Sequence, residues 1–271
     1  MTRKNDTTAE TAAETTAERF ASRDLTCDDF LGGKVRLLQP KSGYRAGVDP
    51  VLLAAAIPVH SGQKVLELGC GAGQMLLCLG ARVADLRLTG VELQPAYADL
   101  ARRNGCENAQ DLEIIQADLT HLPTDLRQRQ FDHVMANPPY FRAGAHSPAQ
   151  DAGRQVALAG PTPLELWIDV AARRLSHKGY LHMIQRADRL PEMLSACVGR
   201  LGSLEALPLA ARDGRQAELV ILRARKGGRA EFRLHAPFVL HQGAQHLRDE
   251  EDYRPAVQAI LRSGAALDWP G

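Results

Sequence analysis

A glycine-rich loop that directly follows a short apolar strand constrains the fold of this chain more than any other feature. The strand is predicted over 64–68, and Gly69, Gly71 and Gly73 follow at alternate positions, before a predicted helix over 74–83. Glycine accepts positive φ and has no side chain, so this loop can turn sharply and approach a ligand closely. In an open α/β sheet, ligands bind beyond the carboxyl ends of the strands. The loop therefore predicts a cofactor site in an α/β protein.

Predicted strands and helices alternate from residue 64 onward. Further strands are predicted over 87–92, 112–116, 131–136, 179–185, 204–208 and 217–225. Strands separated by helices indicate a parallel, doubly wound sheet, whereas the last two strands have little chain between them and favour a hairpin. We therefore expect an α/β, Rossmann-like fold with a seven-stranded, mostly parallel sheet and an antiparallel edge hairpin.

The two ends of the chain differ from its centre. Residues 1–24 are rich in Thr, Ala and Glu and predict a disordered N-terminal tail. That tail has no apolar segment of the kind found in signal peptides, and the longest apolar run, 48–59, is too short to span a bilayer. We expect a cytoplasmic protein with one domain over 25–226, opened by a hairpin and a short helix, and a C-terminal tail over 227–271 that carries one helix.

Composition excludes a generally basic protein. The chain has 33 Lys and Arg against 32 Asp and Glu, a net charge of +1, so any surface that binds nucleic acid must be local. Its five cysteines are scattered and form no Cys-x-x-Cys or Cys/His cluster, which predicts reduced thiols and no metal site.

Acidic residues around the glycine loop help to identify the ligand. Glu92 ends the second predicted strand of the sheet, where a carboxylate can accept hydrogen bonds from ribose hydroxyls. A dinucleotide-binding loop has the pattern Gly-x-Gly-x-x-Gly or Ala, but Gln74 occupies the sixth position here, and the loop motif contains an acid, Glu67. The stretch from Glu67 to Gly73 instead resembles the Glu/Asp-x-Gly-x-Gly-x-Gly motif of methyltransferases, which implies S-adenosyl-L-methionine as the ligand, with a dinucleotide as the rival.

A second motif, Asn137-Pro138-Pro139-Tyr140, follows the apolar strand over 131–136. The lone pair of an amino group on an aromatic ring is delocalised and poorly nucleophilic. The Asn137 side-chain oxygen and the Pro138 carbonyl can accept hydrogen bonds from such an amine and aim its lone pair at a methyl carbon. The prolines stiffen the loop, and Tyr140 offers a ring on which a planar base can stack. The motif predicts methyl transfer to a planar amino group; the alternative is a proline-rich turn.

The order of these segments resembles the bacterial tRNA(Val) adenine-N6 methyltransferase family, whose members are class I S-adenosylmethionine-dependent enzymes. The resemblance covers roughly 30–225. It rests on a Gly-Gly hairpin, the segment 39–55 (Gln-Pro-Lys-Ser-Gly-Tyr-Arg-Ala-Gly-Val-Asp-Pro-Val-Leu-Leu-Ala-Ala), the glycine loop, the run 137–141, and the later Arg154, Leu166 and Trp167. It implies that 25–226 is a methyltransferase domain that modifies the adenine just 3′ of the anticodon, with tRNA as the partner.

The resemblance also assigns site residues. The cofactor-binding set that it implies is Tyr44, Asp49, Glu67, Gly69, Gly71, Gly73, Glu92, Asp118 and Asn137. The catalytic set is Asn137, Pro138, Pro139 and Tyr140, and the substrate set is Tyr140, Phe141 and Arg154. The oligomeric state stays open, with a monomer favoured. The best candidates to face RNA phosphates are Arg212, Arg215, Arg223, Arg225, Lys226, Arg229 and Arg233, and the alternative is that these cations only solvate an edge strand.

The same catalytic loop leaves alternatives open. Related enzymes methylate guanine N2 in rRNA or glutamine N5 in proteins, and a catalytically idle module that binds tRNA or protein would be of another class. The intact Glu67, Gly69, Gly71, Asn137 and Tyr140 argue against an idle module.

Overall fold

The computed structural model describes residues 19–140, 162–243 and 252–269. The strands are β1 (Leu25–Phe30), β2 (Val35–Pro40), β3 (Lys64–Leu68), β4 (Arg87–Glu92), β5 (Leu112–Gln116), β6 (Phe131–Ala136), β7 (Leu175–Arg186), β8 (Gly202–Ala210), β9 (Ala217–Arg225), β10 (Arg233–Leu234) and β11 (Phe238–Val239). The helices are α1 (Asp49–Ala55), α2 (Gln74–Arg82), α3 (Pro95–Glu107), α4 (Thr124–Gln128), α5 (Leu164–Arg174), α6 (Leu190–Cys197) and α7 (Pro255–Ser263).

The central sheet confirms the expected α/β fold. Seven strands lie in the order β5-β4-β3-β6-β7-β9-β8. The pairs from β5 to β7 are parallel, whereas β9 runs antiparallel to both β7 and β8. The predicted hairpin therefore forms, with β9 inserted between β7 and β8. The short strands β10 and β11 both pair with β8, so they add to the seven predicted strands.

Helices cover both faces of the sheet, which explains why its central strands are almost uniformly apolar. One core cluster packs α1, α2 and α3 on one face and includes Leu52, Leu76 and Leu100. The other packs α5 and α6 on the opposite face and includes Ile168 and Met193. Two enclosed faces hold the central strands in one register, so the loops at their carboxyl ends are set on a rigid base.

The hairpin of β1 and β2 packs beside the glycine loop. Asn104 on α3 is fully buried, and its side-chain oxygen accepts from the backbone N–H of Leu38, while its amide donates to the carbonyls of Leu38 and Ala72. One side chain therefore ties the hairpin, α3 and the glycine loop together. Of the expected N-terminal tail, only 19–24 are described, and there the Phe20 ring packs edge-on against Tyr97 at 5.1 Å.

The segment expected to form a C-terminal tail packs on the domain where it is described. Its strands β10 and β11 extend the sheet, and the backbone N–H of Leu267 donates to the carbonyl of Ala55 at the end of α1. Trp269 donates to the carbonyl of Ala56, and its ring lies 4.1 Å from the Arg223 guanidinium. Two-residue strands are too short to show an alternating pattern, so the sequence reveals only the helix, predicted over 255–262 and observed as α7.

None of the helices within the described ranges combines the length and the apolar character that crossing a membrane requires.

Candidate active site

The parallel register brings the predicted site residues to one edge of the sheet. Leu68 at the end of β3 pairs with Val91 and with Ala136, so the glycine loop, Glu92 and Asn137 begin at the same level. The end of β5 lies beside the end of β4, because Gln116 pairs with Glu92. Loops that follow four neighbouring strands therefore converge where an α/β sheet binds its ligand.

The glycine loop has the left-handed backbone that its sequence predicts. Gly69, Gly71 and Gly73 have φ of 66°, 53° and 83°. A Cβ atom on Gly69 would lie 2.6 Å from the Cη2 atom of Trp167, so the ring excludes any side chain there. A Cβ atom on Gly71 would meet only the Cε1 atom of Tyr44, at 3.8 Å. The loop therefore packs against the Trp167 ring at Gly69 and has open space beside Tyr44 at Gly71.

Glu92 fixes the conformation of the loop as well as lining it. One carboxylate oxygen accepts a 2.8 Å hydrogen bond from the backbone N–H of Gly71, and the other accepts a 2.9 Å bond from that of Gln94. Burial raises the pKa of Glu92, and these backbone donors oppose the shift. The backbone N–H of Leu93 donates to the same carboxylate. Three donors leave one of the four lone pairs of the carboxylate, which can accept from a ligand.

Glu67 is the most deeply buried acid of the site, only 4% exposed. Burial raises its pKa well above the ordinary value, although the backbone N–H of Leu76 in the first turn of α2 donates to it. Its Oε2 atom has no hydrogen-bond partner. An unpartnered buried acceptor is costly, and a cationic ligand would satisfy it.

A hydrogen bond joins the segment before α1 to the Asn-Pro-Pro-Tyr motif. The Tyr140 hydroxyl donates to Asp49 Oδ2 at 2.7 Å, and Asp49 is the first residue of α1. Burial and the neighbouring Asp49 carboxylate raise the pKa of Tyr140 above its ordinary value. The Tyr97 hydroxyl holds the same segment from the other side, because it accepts from the backbone N–H of Tyr44 and donates to its carbonyl, both at 3.1 Å.

The motif itself presents two acceptors. The side-chain oxygen of Asn137 is buried and has no partner. The Pro138 carbonyl accepts one hydrogen bond, 3.2 Å from the Gln185 amide nitrogen, and keeps a second lone pair. Pro139 is exposed and Tyr140 is half-buried. These groups form a rigid loop with unused acceptors directly beyond β6.

Asp118 lies two residues beyond β5 and is exposed. Its Oδ1 atom accepts from the backbone N–H and the hydroxyl of Thr120, at 2.7 and 2.8 Å, and the first of these bonds lowers the pKa of Asp118. The carboxylate therefore caps a short 3₁₀ helix and stays charged at the rim of the site. Phe141 and Arg154 of the predicted site lie outside the described residues.

The residues present fit S-adenosylmethionine better than a dinucleotide. Among the buried side-chain oxygens of the described residues that lack a hydrogen-bond partner, three belong to this site: Glu67 Oε2, Gln74 Oε1 and Asn137 Oδ1. All three are acceptors, and they lie on or beside the loops that Glu92 and Asp49 also line. An acceptor-rich, acidic site suits a ligand that carries an ammonium and a sulfonium group, whereas it would repel a pyrophosphate.

Three contributors were not assigned from sequence. Trp167 blocks the side-chain position of Gly69, Gln74 donates to the carbonyl of Gly47 at 3.1 Å, and Gln185 holds Pro138. A glycine directly after a strand signals a close neighbour, but only the fold shows that the neighbour is Trp167.

The predicted phosphate contacts need correction. Arg223 pairs with Glu205 at 2.7 Å under the Trp269 ring, and Arg212 pairs with Asp252, so both are engaged within the protein. Arg225 pairs with Tyr180 in the ladder with β7. Tyr180 lies five residues before Gln185, which contacts Pro138 of the motif, so Arg225 is about 16 Å along the strand from that contact. Exposed Arg215, in the turn between β8 and β9, lies at the motif edge.

Comparisons with known proteins agree with the site. Residues 46–206 match the methyltransferase small domain family. A tRNA1(Val) (adenine(37)-N6)-methyltransferase of Porphyromonas gingivalis is 34% identical over 179 residues, which cover 61% of this chain and 68% of that protein. An enzyme of the same name from Yersinia enterocolitica is 27% identical over 197 residues, 71% of this chain and 78% of that protein.

Solved structures give the same answer for the fold. A predicted O-methyltransferase from Agrobacterium tumefaciens superposes with a TM-score of 0.66 at 27% identity, covering 81% of this chain and 98% of that one. A T. thermophilus 16S rRNA N2 methyltransferase in complex with AdoMet and guanosine has a TM-score of 0.54 at 22% identity, covering 74% of this chain and 50% of that one. The expected class I methyltransferase fold is thereby confirmed, and so is S-adenosylmethionine as the cofactor. This chain belongs to the methyltransferase small domain family and, within it, to the tRNA1(Val) (adenine(37)-N6)-methyltransferases.

Proposed function

We propose that this chain methylates the N6 amino group of adenine 37 in tRNA1(Val) with S-adenosylmethionine as the donor. The observation that carries the proposal is the Asn137 side-chain oxygen, which is buried and unpartnered at the end of β6. The neighbouring Pro138 carbonyl keeps one free lone pair. Two acceptors on one rigid loop match the two N–H groups of an exocyclic amine. The relatives named for adenine-N6 transfer support the same substrate.

The chain assists the reaction by orienting the amine. When both N–H groups donate to Asn137 and Pro138, the nitrogen lone pair is turned out of the ring plane and becomes nucleophilic. Fixed acceptors stabilise the developing positive charge on nitrogen without reorganising, which is the usual source of such rate enhancement. The methylated amine loses its proton readily to water, so no residue with a tuned pKa is needed as a base. Proline at 138 and 139 limits the loop to one geometry.

Bound S-adenosylmethionine would supply an electrophilic methyl carbon. We assign the loop of Gly69, Gly71 and Gly73, together with Glu67, to its methionine end, because the unpartnered Glu67 oxygen suits an ammonium group. Glu92 is assigned to the ribose hydroxyls and Asp118 to the adenine amino group, since Glu92 ends β4 and Asp118 lies two residues beyond β5, at the same edge of the sheet. We also assign Tyr44 and Asp49 to the cofactor set, because Tyr44 lies beside Gly71 and Asp49 begins α1 directly after the same segment.

The tRNA would reach the site at the carboxyl edge of the sheet. Tyr140 is half-buried with its hydroxyl anchored on Asp49, so its ring is held as a stacking surface for the target base. A base beside the anticodon is unpaired, so little energy is needed to expose it. Phe141 and Arg154 stay predicted substrate contacts. Arg215, at the same edge, is our candidate for a phosphate contact.

The test is methyl transfer from labelled S-adenosylmethionine to unmodified tRNA1(Val) transcript, followed by nucleoside analysis. The proposal expects N6-methyladenosine in the transcript. Label in guanine of ribosomal RNA, or in a protein glutamine, with none in the transcript would assign the enzyme to one of those substrates. Cofactor binding with no transfer to any of them would indicate an idle module.

A further inference from the structure

A fully buried side chain on the neighbouring strand holds the motif in place. Gln185, the next-to-last residue of β7, donates from its amide nitrogen to the Pro138 carbonyl at 3.2 Å. Its amide oxygen accepts from the backbone N–H of Arg186 at 3.0 Å. Burying a primary amide costs free energy unless it is hydrogen-bonded. Here both the nitrogen and the oxygen of the amide are hydrogen-bonded, and the nitrogen donates to the motif.

The position of Gln185 follows from how the strand ladder ends. Backbone pairing between β6 and β7 stops at Ala136 and Met183. Pro138 and Pro139 have no N–H, so the ladder cannot continue into the motif. Beyond Met183, the Pro138 carbonyl therefore accepts from the side-chain amide of Gln185 in place of a backbone N–H of β7. Without the Gln185 amide, the buried Pro138 carbonyl would have no hydrogen bond among the described residues, and nothing of that kind would fix the direction in which its oxygen points.

We propose that Gln185 is a positioning residue for methyl transfer: its amide occupies one lone pair of the Pro138 carbonyl and turns the other toward the amine of the target base. Gln185 itself does not contact the base. Its effect is carried by the orientation of the Pro138 oxygen, and therefore by the geometry of the amine in the reacting complex. The inference rests on the proposed function, since it needs an amine that donates to Pro138.

The first test replaces Gln185 by Met, which keeps the length and removes the donor. Turnover on the tRNA1(Val) transcript should fall between about 10-fold and 10²-fold, the range for a misplaced catalytic group. S-adenosylmethionine affinity and the KM for tRNA should not change. The matched control is Gln110→Met, which removes a similar 3.1 Å bond from a side-chain amide to the Leu77 carbonyl in α2. It should lower stability without changing turnover.

The second test uses Gln185→Glu, which is nearly isosteric and remains informative if the Met variant does not fold. A protonated carboxyl can donate to the Pro138 oxygen, whereas a carboxylate repels it. The turnover of this variant relative to wild type should therefore rise as pH falls. Asp49, Tyr140 and Arg186 are present in both proteins, so the ratio isolates the introduced carboxyl.

The two outcomes are separable from failure of the proposed function. Wild-type protein that methylates the transcript supports that function whatever the variants do. Normal turnover in Gln185→Met, or a turnover ratio for Gln185→Glu that does not vary with pH, would overturn the positioning role. In variants that fold, loss of turnover only in proportion to lost cofactor affinity would also overturn it, because Gln185 would then be purely structural.

Discussion

The Tyr140 hydroxyl and the Asp49 carboxylate are joined by a 2.7 Å hydrogen bond across 91 residues of sequence. Asp49 begins α1, which follows the segment over the glycine loop, and Tyr140 ends the Asn-Pro-Pro-Tyr motif. The bond therefore connects the part of the chain assigned to the cofactor with the part assigned to the substrate amine.

We expect that bond to give a measurable coupling energy. Tyr140→Phe keeps the stacking ring and Asp49→Asn keeps the volume, so each removes mainly the charge-assisted bond. A double-mutant cycle on S-adenosylmethionine affinity, measured by calorimetry, should give a coupling of about 1 kcal/mol or more. If the two single effects simply add, the bond does not link the two halves of the site.

Gly71 and Gly69 should respond differently to alanine. A methyl group on Gly71 has open space beside Tyr44, whereas one on Gly69 would overlap Trp167. Gly71→Ala should therefore fold, at a backbone cost of about 1–2 kcal/mol, and lose S-adenosylmethionine affinity because the ligand needs that space. Gly69→Ala should lower the thermal unfolding temperature more strongly. Normal cofactor affinity in a folded Gly71→Ala protein would remove the loop from the binding site.

Glu67 should make cofactor affinity depend on pH. Burial raises the pKa of Glu67 well above its ordinary value of 4.5. In the pH window between the ordinary and the raised pKa, the folded free protein therefore holds a proton that the unfolded chain has lost. The contribution of Glu67 to the free energy of unfolding therefore falls as pH rises through the window. Binding of an ammonium group favours the carboxylate, so affinity for S-adenosylmethionine should rise over the same window.

The control for this pH effect is Glu67→Gln, which cannot titrate. Calorimetric titrations of both proteins across this pH window have the titration of the ligand in common, so their difference reports the ionisation of Glu67 together with its electrostatic coupling to Glu92. A pH dependence that is the same in the two proteins would show that Glu67 does not ionise when the ligand binds.

The sequence predicted those parts of the site that local pattern determines. The glycine loop, Glu92 and Asn137 each follow a buried strand, and parallel strands bring their ends to one edge, so the pattern of strands alone places them together. The Gln185–Pro138 and Tyr140–Asp49 contacts join distant segments, and no local pattern encodes them. The sequence shows that Arg223 is a cation, and this alone predicts a phosphate contact. It does not show that Glu205 and Trp269 pack against Arg223 in the folded chain.

That correction changes which cation should matter for RNA. Arg215→Glu, at the motif edge, should raise the KM for tRNA and reduce the salt slope of binding by about one. Arg225→Glu is the control, because Arg225 lies over the Tyr180 ring toward the other end of the strands. Cofactor affinity should be unchanged in both. Equal effects of the two substitutions would mean that RNA does not approach along the motif edge.

The most direct test of the central claim is the site of methylation in two transcripts of tRNA1(Val), one with adenine and one with guanine at position 37. Wild-type protein should form N6-methyladenosine in the first and transfer no methyl group to the second. Asn137→Ala should bind S-adenosylmethionine normally but lower turnover on the first by about 10² or more, since it removes an acceptor aimed at the amine. Methyl transfer to both transcripts, or near-normal turnover without the Asn137 side chain, would contradict the account.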